Sequence, residues 1–543
     1  MTVRSTGKEA DPSTKTQEAN RQDDVFRLLM NPVVYGDGTE TVEVVHTHGA
    51  TVFLGKTIVF KVKNAVDLGY LDFSTLAKRK AVCERELALN REFAPQIYEG
   101  LAVFTKEEDG TIALAGEGLA IEYAVKMTRF EQSMELGVMA ETGRLDRSVA
   151  VRLGEMLSNL HKSLRPIDNP AWPDLMLDVL EHAGIAFEKS GMAGSAPCAA
   201  DLEFVTERIV SELAEQRGLI ATRAEAGFVR HCHGDLHLGN IVLLGGTPTP
   251  FDALEFNDKL ARTDVVYDAC FLFMDMVHRG LSAEANLAFN RYVLNAYDII
   301  KEGGFRLLPI FMSVRAVIRA MASAERAAQL KNRDLEDYRA LCLDASAYLT
   351  DARAALDIKT PGLVAVGGLS GTGKSTVAAA IAPDLDGPPG ALHIRSDLER
   401  KVLFGVPELE PLPKSAYNRE TGERVYQIMI EKAERALSQG RSVVLDAVHL
   451  RKEERGAVER LAEGLNVPFV GLWLTAPAGV LHERVASRKN DASDADSAVL
   501  DMQLKAAADS DPSSGQWQAV DASQSPAATF FEAKSVLAQA FAG

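Results

Sequence analysis

The chain has 543 residues, 46% hydrophobic and 25% charged, with a net charge of −17. That length accommodates about two to four domains whose cores need no covalent staples, and the negative charge speaks against a broad nucleic-acid-binding surface. Five cysteines (Cys83, Cys198, Cys232, Cys270 and Cys342) are odd in number and lack CxxC spacing, which argues against a disulfide framework or a zinc cage and for a reducing, cytoplasmic setting.

Residues 1–24 are polar, mixed in charge and without an apolar core, so they read as a disordered lead and not as a signal peptide. Apolar runs such as Leu363–Val366 are too short to span a membrane, and no membrane partner is expected. Two β-rich runs follow, Thr41–Val45 and Thr51–Val62, the second turning at Gly55-Lys56 as a hairpin. Ser74–Phe93 reads as a charged amphipathic helix and Gly118–Val125 as another strand. Lys61 and Lys63 alternate with Phe60 and Val62, which puts both ammonium groups on one strand face. Glu86 falls with Val82, Leu89 and Phe93 on the buried-looking helix face, while Glu84 is turned away.

From Asp146 the pattern is helical. It breaks over Val229–Phe256 into short apolar strands separated by Gly, Pro and Asn, then resumes from Thr263 to about Leu356. The interruption holds His233-Gly234-Asp235-Leu236-His237-Leu238-Gly239-Asn240, with Asp252 further on at a strand end. An HGD with Asn five past the Asp arises by chance in on the order of one chain in a thousand, so the string is specific. The residues suit phosphoryl transfer. One carboxylate orients a hydroxyl and takes its proton, while an Asn and a second Asp hold Mg²⁺ on nucleotide phosphates. His231, His233 and His237 cluster here as well, but the loop accounts for His233 without zinc.

These residues closely resemble the catalytic loop of aminoglycoside phosphotransferases and the related choline-kinase-like enzymes, which share the protein-kinase fold. The resemblance spans roughly residues 30–355 and implies a two-lobed, protein-kinase-like α+β domain over 25–357. It makes Asp235 the catalytic base, Asn240 a metal ligand and Asp252 the counterpart of the metal-binding Asp, with His233 bracing the loop. It assigns Lys61, with Lys63 as the alternative, to the α- and β-phosphates of ATP. It pairs that lysine with a helix glutamate, for which Glu86 is better placed than Glu84, and sets backbone groups around Glu122, Tyr123 and Val125 against adenine. The likeness has departures. HTHGATVFLG precedes Lys61 where a GxGxxG is usual, and Asp252 is followed by Ala-Leu-Glu255 instead of Phe-Gly. Glu255 and Asp258 therefore bring acid either to the metal or to substrate.

Thr360-Pro361-Gly362 breaks the helical pattern, and a domain boundary is expected near residue 358. Over 358–543 apolar strands (LVAVGG, ALHIRS, SVVLDAV, VGLWLT) alternate with helices, which predicts an α/β domain with a parallel sheet flanked by helices. Gly368-Leu369-Ser370-Gly371-Thr372-Gly373-Lys374-Ser375-Thr376 fits GxxxxGK[ST], the Walker A pattern, between a strand and a helix. That is the setting in which glycines and backbone N–H groups cradle a nucleotide phosphate. Lys374 is expected on the β- and γ-phosphates, the Ser375 hydroxyl on Mg²⁺, and Asp446, at the end of SVVLDAV, in the metal shell.

Asp397 and Arg400 in IRSDLERK form a DxxR pattern that resembles P-loop kinases of small-molecule or polynucleotide hydroxyls, the zeta-toxin-like and polynucleotide-kinase-like enzymes. By that resemblance Asp397 takes the acceptor proton and Arg400 helps hold the acceptor or the phosphate. Arg484 and Arg488 are four apart on one helix face and, by the same likeness, open a lid that neutralises the transferring phosphate. The polar segment KNDASDADSAV after them has the composition of a mobile lid.

The two-module order resembles bacterial bifunctional proteins that join an aminoglycoside-phosphotransferase-like domain to a P-loop kinase, a likeness that assigns no substrate. The activity expected is ATP- and Mg²⁺-dependent phosphorylation of a small-molecule hydroxyl by two nucleotide-binding modules. The alternative is a nucleotide-dependent regulator in which one module binds ATP and gates the other or a partner. Nucleic acid is disfavoured as a partner by the charge.

Overall fold

The computed structural model describes residues 22–47, 49–67, 72–169, 171–255, 258–488, 491–507 and 516–541. Most of the expected lead, residues 1–21, lies outside them. Residues 22–24 already belong to a helix that runs to residue 29. Gln22 anchors the described part of that helix: buried, it donates through Nε2 to the Lys63 carbonyl at 2.7 Å and to Glu122 Oε2 at 2.8 Å. Val25 and Leu29 then bury fully in the core.

The chain forms two compact units, Met1–Leu145 with His233–Arg262, and Asp146–Cys232 with Thr263–Gly543. This division by compactness differs from the boundary read near residue 358, since the helices that precede that point share a unit with the P-loop segment.

The first unit is built on a six-stranded antiparallel sheet. In spatial order its strands are Glu43–His46, Ala50–Leu54, Ile58–Lys63, Leu119–Thr128, Tyr98–Lys106 and Ile112–Leu114. The expected hairpin is present, with Phe53 opposite Phe60. The period-2 alternation sends Phe60 and Val62 to one face, into a core with Phe53, Phe104 and Ala124. It sends Val59 to the other face, with Cys83, Val125 and Met127. The helix Leu76–Phe93 packs on that second face, and its start is fixed by Thr75, which accepts a hydrogen bond from the Lys78 N–H. The hairpin of Ile241–Leu244 and Thr247–Pro250 turns at Gly245 and Gly246, both at positive φ, as a two-residue loop requires.

In the second unit the core helix is Gly304–Leu330. By length and composition it is apolar enough to cross a membrane, unlike the short apolar runs of the sequence such as Leu363–Val366. It packs against the helices Asp174–Ser190, Val265–His278 and Leu335–Ala355, and 72% of its apolar window is buried inside the fold. The buried Arg223 guanidinium grips Asp264 through two bonds, 2.7 and 2.9 Å. Asp264 also caps the helix Val265–His278.

His278 closes that helix onto Leu335–Ala355. Its Nδ1 meets Asp351 Oδ2 at 2.6 Å, its Nε2 meets Asp344 Oδ1 at 3.5 Å, and its ring stacks on Tyr348 at 3.6 Å. Burial opposes its charge, but the two carboxylates outweigh burial and raise its pKa to about 9. A raised histidine stabilises the fold fully below its unfolded value of 6.5 and loses that contribution as pH rises through about 9. His278→Ala is therefore expected to cost about 2–3 kcal/mol in urea unfolding at mildly acid pH, with the gap to the wild type narrowing as pH rises from 6.5 to about 9. A pH-independent gap would assign the contribution to stacking alone.

The P-loop segment is a five-stranded parallel sheet ordered Leu392–Arg395, Val443–Asp446, Leu363–Gly368, Phe469–Thr475 and Trp517–Asp521. The helices Lys374–Ile381 and Pro526–Ala540 cover it with Val377, Ile381, Ala533 and Leu537. Its edge strand, Leu392–Arg395, is closed by asparagines of the helix Ser282–Asn295. Asn290 Oδ1 accepts the His393 N–H at 2.7 Å, and Asn286 Nδ2 donates to the carbonyls of Pro389 and Ala391 at 2.9 and 3.0 Å. Such side chains satisfy edge groups that would otherwise template further pairing.

Candidate active sites

In the first unit five charged groups meet. Glu86, fully buried, takes Lys61 Nζ at 2.8 Å on one carboxylate oxygen and Lys63 Nζ at 2.7 Å on the other. Lys61 also reaches Asp252 Oδ1, and Lys63 reaches Glu255 Oε1, both at 2.5 Å. Both lysines thus share one glutamate. Glu84 is exposed and pairs only loosely with Lys80, at 3.7 Å.

Three carboxylates face two ammonium groups, so the cluster carries one excess negative charge. Its effects are unequal. Burial pushes Glu86 up, but the two lysines outweigh it and hold the carboxyl at about 2. In Glu255 burial prevails and the pKa is raised. Lys61 is raised because Asp252 and Glu86 overcome its burial.

The loop beside this cluster is held by main-chain contacts. Asn240 Nδ2 donates to the Asp235 carbonyl at 2.9 Å and to Asp235 Oδ2 at 3.0 Å. His233 Nε2 sits 2.9 Å from the Phe251 carbonyl, and its ring packs on Phe93. His237 Nδ1 accepts the Gly239 N–H at 3.1 Å. Asp252 has φ +59, a left-handed conformation that Asp tolerates better than most residues. Its N–H donates to the Tyr98 hydroxyl at 3.0 Å, while the next N–H, of Ala253, donates to Asn90 Oδ1 at 2.8 Å. Tyr98 and Asn90 escaped the sequence reading because each looks like an ordinary strand or helix residue. Only the fold brings them to Asp252.

In the P-loop segment, Gly368 (φ +138) and Gly371 (φ +87) hold conformations closed to other residues. A Cβ there would stand 2.6 Å from the Leu474 carbonyl oxygen and 2.9 Å from that of Leu481. Gly373 precedes the helix Lys374–Ile381, which carries Ser375 and Thr376. Lys374 Nζ donates to the Leu369 carbonyl at 3.1 Å, and Thr372 Oγ1 to the same oxygen at 2.8 Å. Burial lowers the Lys374 pKa, against the pull of Asp446 and Asp397.

Asp446 lies at the end of the neighbouring strand, in register with Val366. Burial opposes its charge, but His393 Nε2 at 3.4 Å and Arg395 Nε at 3.5 Å hold it well below the usual carboxylate range. The sequence reading missed both His393 and Arg395, on the edge strand. Asp397 opens the helix Ser396–Phe404. Arg488 meets Asp491 at 3.9 Å.

Several expected placements differ. Glu122, Tyr123 and Val125 lie in the middle of a strand that runs on to Thr128, and Val125 pairs with Lys61 on one side and Leu101 on the other. Glu122 and Tyr123 are in register with Phe104 and Val103 on the other neighbour strand. The Glu122 carboxylate is buried under Arg79 Nη2 at 2.9 Å and Gln22. Glu255 faces Lys63 inside the fold, as an ion-pair partner. The side chain of Asp258 lies outside the described residues.

Arg484 donates to the carbonyls of Ala522 at 2.8 Å and Gly371 at 3.5 Å, so it buttresses the P-loop main chain. Arg400 donates to the Ala416 carbonyl at 2.9 Å and lies over the Tyr417 ring. In the expected lid, Lys489 and Asn490 lie outside the described residues. The part from Asp491 onward is packed, since Ala492 is buried and Asp494 accepts from Lys401 Nζ, the Leu412 N–H and the Tyr417 hydroxyl.

Residues 363–509 match the family model of an AAA domain. The chain is 29% identical over 470 residues to an uncharacterized protein of Mycobacterium tuberculosis, the match covering 84% of this chain and 88% of the relative. A gluconokinase from Sinorhizobium meliloti matches 33% of this chain and 94% of its own at 26% identity and a TM-score of 0.25. The GDP complex of aminoglycoside 2′-phosphotransferase-IIIa matches 61% of this chain and 99% of its own at 14% identity and a TM-score of 0.37. The segment that holds the P-loop is thus the part of the chain that is similar to an AAA domain.

Proposed function

We propose that the chain is an ATP- and Mg²⁺-dependent phosphotransferase that phosphorylates a hydroxyl of a small molecule, with one catalytic site in each module. The observation that carries this reading is the P-loop itself. Lys374 is half-buried at the end of a glycine-rich loop, Asp446 ends the adjacent strand, and Asp397 opens the next helix. At this site the acceptor oxygen attacks the γ-phosphorus while its proton passes to Asp397. The bond from phosphorus to the β–γ bridging oxygen breaks, and the electron pair leaves on ADP. Lys374, desolvated and resting on a carbonyl, gains its counter-charge from the phosphate. Asp235 takes the same proton-accepting part in the first unit, where Lys61, oriented by Glu86, meets the α- and β-phosphates.

The protein oxygens suit Mg²⁺, a hard cation that binds one or two carboxylates together with substrate phosphates. Asn240 turns its Nδ2 to Asp235 and so keeps its oxygen for the ion, and the Asp252 side chain remains 41% exposed. Ser375 and Asp446 would hold the ion in the P-loop module. Bound there, it neutralises the phosphate oxygens.

Lys374→Ala is expected to lower turnover at the P-loop site by about 10²–10³-fold, the scale for loss of one preorganised phosphate-facing donor. The check is a metabolite-mixture screen for ATP-dependent mass gain of one phosphoryl group, with Lys374→Ala and Asp235→Asn run separately. Unchanged product profiles in both variants would remove the enzyme reading.

A second reading, in which nucleotide at the P-loop gates the preceding helices, is favoured by the Asn286 and Asn290 bonds to the edge strand beside Asp446. It requires amide exchange in Ser282–Asn295 to slow on adding ATP and to stay unchanged in Lys374→Ala.

A further inference from the structure

A cavity of about 610 Å³ opens beside the P-loop, within the second unit. One wall holds Ser375, Thr376, His393 and Arg395. The facing wall comes from a distant stretch of chain, with Arg147 and Ser148 from the helix Arg147–Ser163 and Asn290 from Ser282–Asn295. Its volume is that of a small-molecule site and exceeds what one sugar-sized compound needs.

The charges in this cavity are nearly all matched. Lys432 is held by both oxygens of Glu399 at 2.7 Å. Arg291 is paired with Glu408, and Arg395 lies among Asp446, Asp491 and Glu408 at 3.5, 3.6 and 3.9 Å. Arg147 differs. It is exposed and has no carboxylate partner among the described residues, and its charge is felt by His393 across the cavity. The neighbouring Asp146 is turned into the helix N-cap, where its carboxylate accepts from the Ser148 hydroxyl at 2.6 Å and the Val149 N–H at 2.9 Å. The unmet charge of the cavity is therefore one cation, on the wall that does not belong to the P-loop segment.

We infer that this cavity is the acceptor site of the P-loop module, that the helices Arg147–Ser163 and Ser282–Asn295 complete it, and that Arg147 binds the carboxylate or phosphate of a hydroxyl-bearing acceptor. The acceptor class is a hydroxy acid or a phosphorylated polyol. Its hydroxyl faces Ser375 and its anionic group faces Arg147. The inference rests on the phosphotransferase reading of this module and adds the acceptor's charge and the origin of the residue that reads it.

The test is calorimetric titration of the full chain, saturated with a non-hydrolysable ATP analogue and Mg²⁺, with ribose, ribose 5-phosphate and ribonate. At least one anion is expected to bind about ten- to hundredfold tighter than ribose, the scale of a charge-assisted hydrogen bond. Whichever anion gains distinguishes phosphate from carboxylate. Arg147→Ala is expected to erase the preference and Arg147→Lys to keep part of it. Equal binding of the three compounds, no millimolar binding of either anion, or a preference that survives in Arg147→Ala would overturn the inference. Acceptor-dependent ADP release in Lys374→Ala is the separate control. Its persistence at the wild-type rate would remove the P-loop phosphotransferase reading itself, whereas a Lys374-dependent but charge-blind turnover would remove only the role of Arg147.

Discussion

Asp235→Asn is expected to lower ATP turnover at the N-terminal site by about 10²–10⁴-fold, the usual worth of a general base. The substitution changes almost nothing else. The amide is isosteric with the carboxylate, and its oxygen still accepts from Asn240 Nδ2, now 3.0 Å from Asp235 Oδ2. The main-chain bond from Asn240 to the residue 235 carbonyl, at 2.9 Å, is independent of the side chain. Folding and nucleotide affinity should therefore persist while kcat falls. The measurement is acceptor-dependent ADP release in a Lys374→Ala background, which silences the second site, with thermal unfolding as the control for structure. Undiminished release in the double variant would show that Asp235 takes no proton.

Glu86→Gln is expected to destabilise the first unit by about 3–5 kcal/mol, the cost of breaking a buried ion pair from one side. Glu86 is fully buried between two lysines, and its neutral replacement leaves Lys61 and Lys63 facing each other with Asp252 and Glu255 as their remaining counter-charges. The pH dependence has a definite sign. The folded carboxyl is held at about 2, below its ordinary 4.5, so its contribution is complete above pH 4.5 and is lost as pH falls toward 2. The gap in denaturant midpoint between wild type and variant should be constant near neutrality and shrink in acid. A variant as stable as the wild type at neutral pH would mean that burial costs this cluster as much as its pairing returns.

The elements easiest to read were those whose local pattern and local chemistry agree. The hairpin over residues 50–63 alternates cleanly, and the P-loop announces itself because a phosphate cradle needs glycines at fixed spacing between strand and helix. The strands Tyr98–Lys106 and Trp517–Asp521 were not anticipated, because both mix polar with apolar residues. Trp517–Asp521 is also a sheet edge, where only one side is paired.

The strand read as ending at Val125 runs on to Thr128, because an apolar run marks only part of a strand whose ladder is set by its neighbours. The pairing of Met127 with Val59 and Tyr98 carries the ladder further. Arg400 stands out by its DxxR pattern and Arg484 by its helix spacing with Arg488, and tertiary packing brings a carbonyl to each. Sequence spacing says which residues share a face, not what stands opposite.

From the sequence alone came the candidate site residues, namely the HGD loop with its Asn and later Asp, and the lysine, serine and glycines of the P-loop. Short-range steric and hydrogen-bond demands tie those residues to fixed spacings. Only the tertiary structure decided that Lys61 and Lys63 share Glu86, that Tyr98 and Asn90 hold Asp252, and that helices from before residue 358 close an edge of the P-loop sheet. Those contacts join residues far apart in the chain, and their energy comes from burying charges and apolar faces against partners that no local pattern specifies.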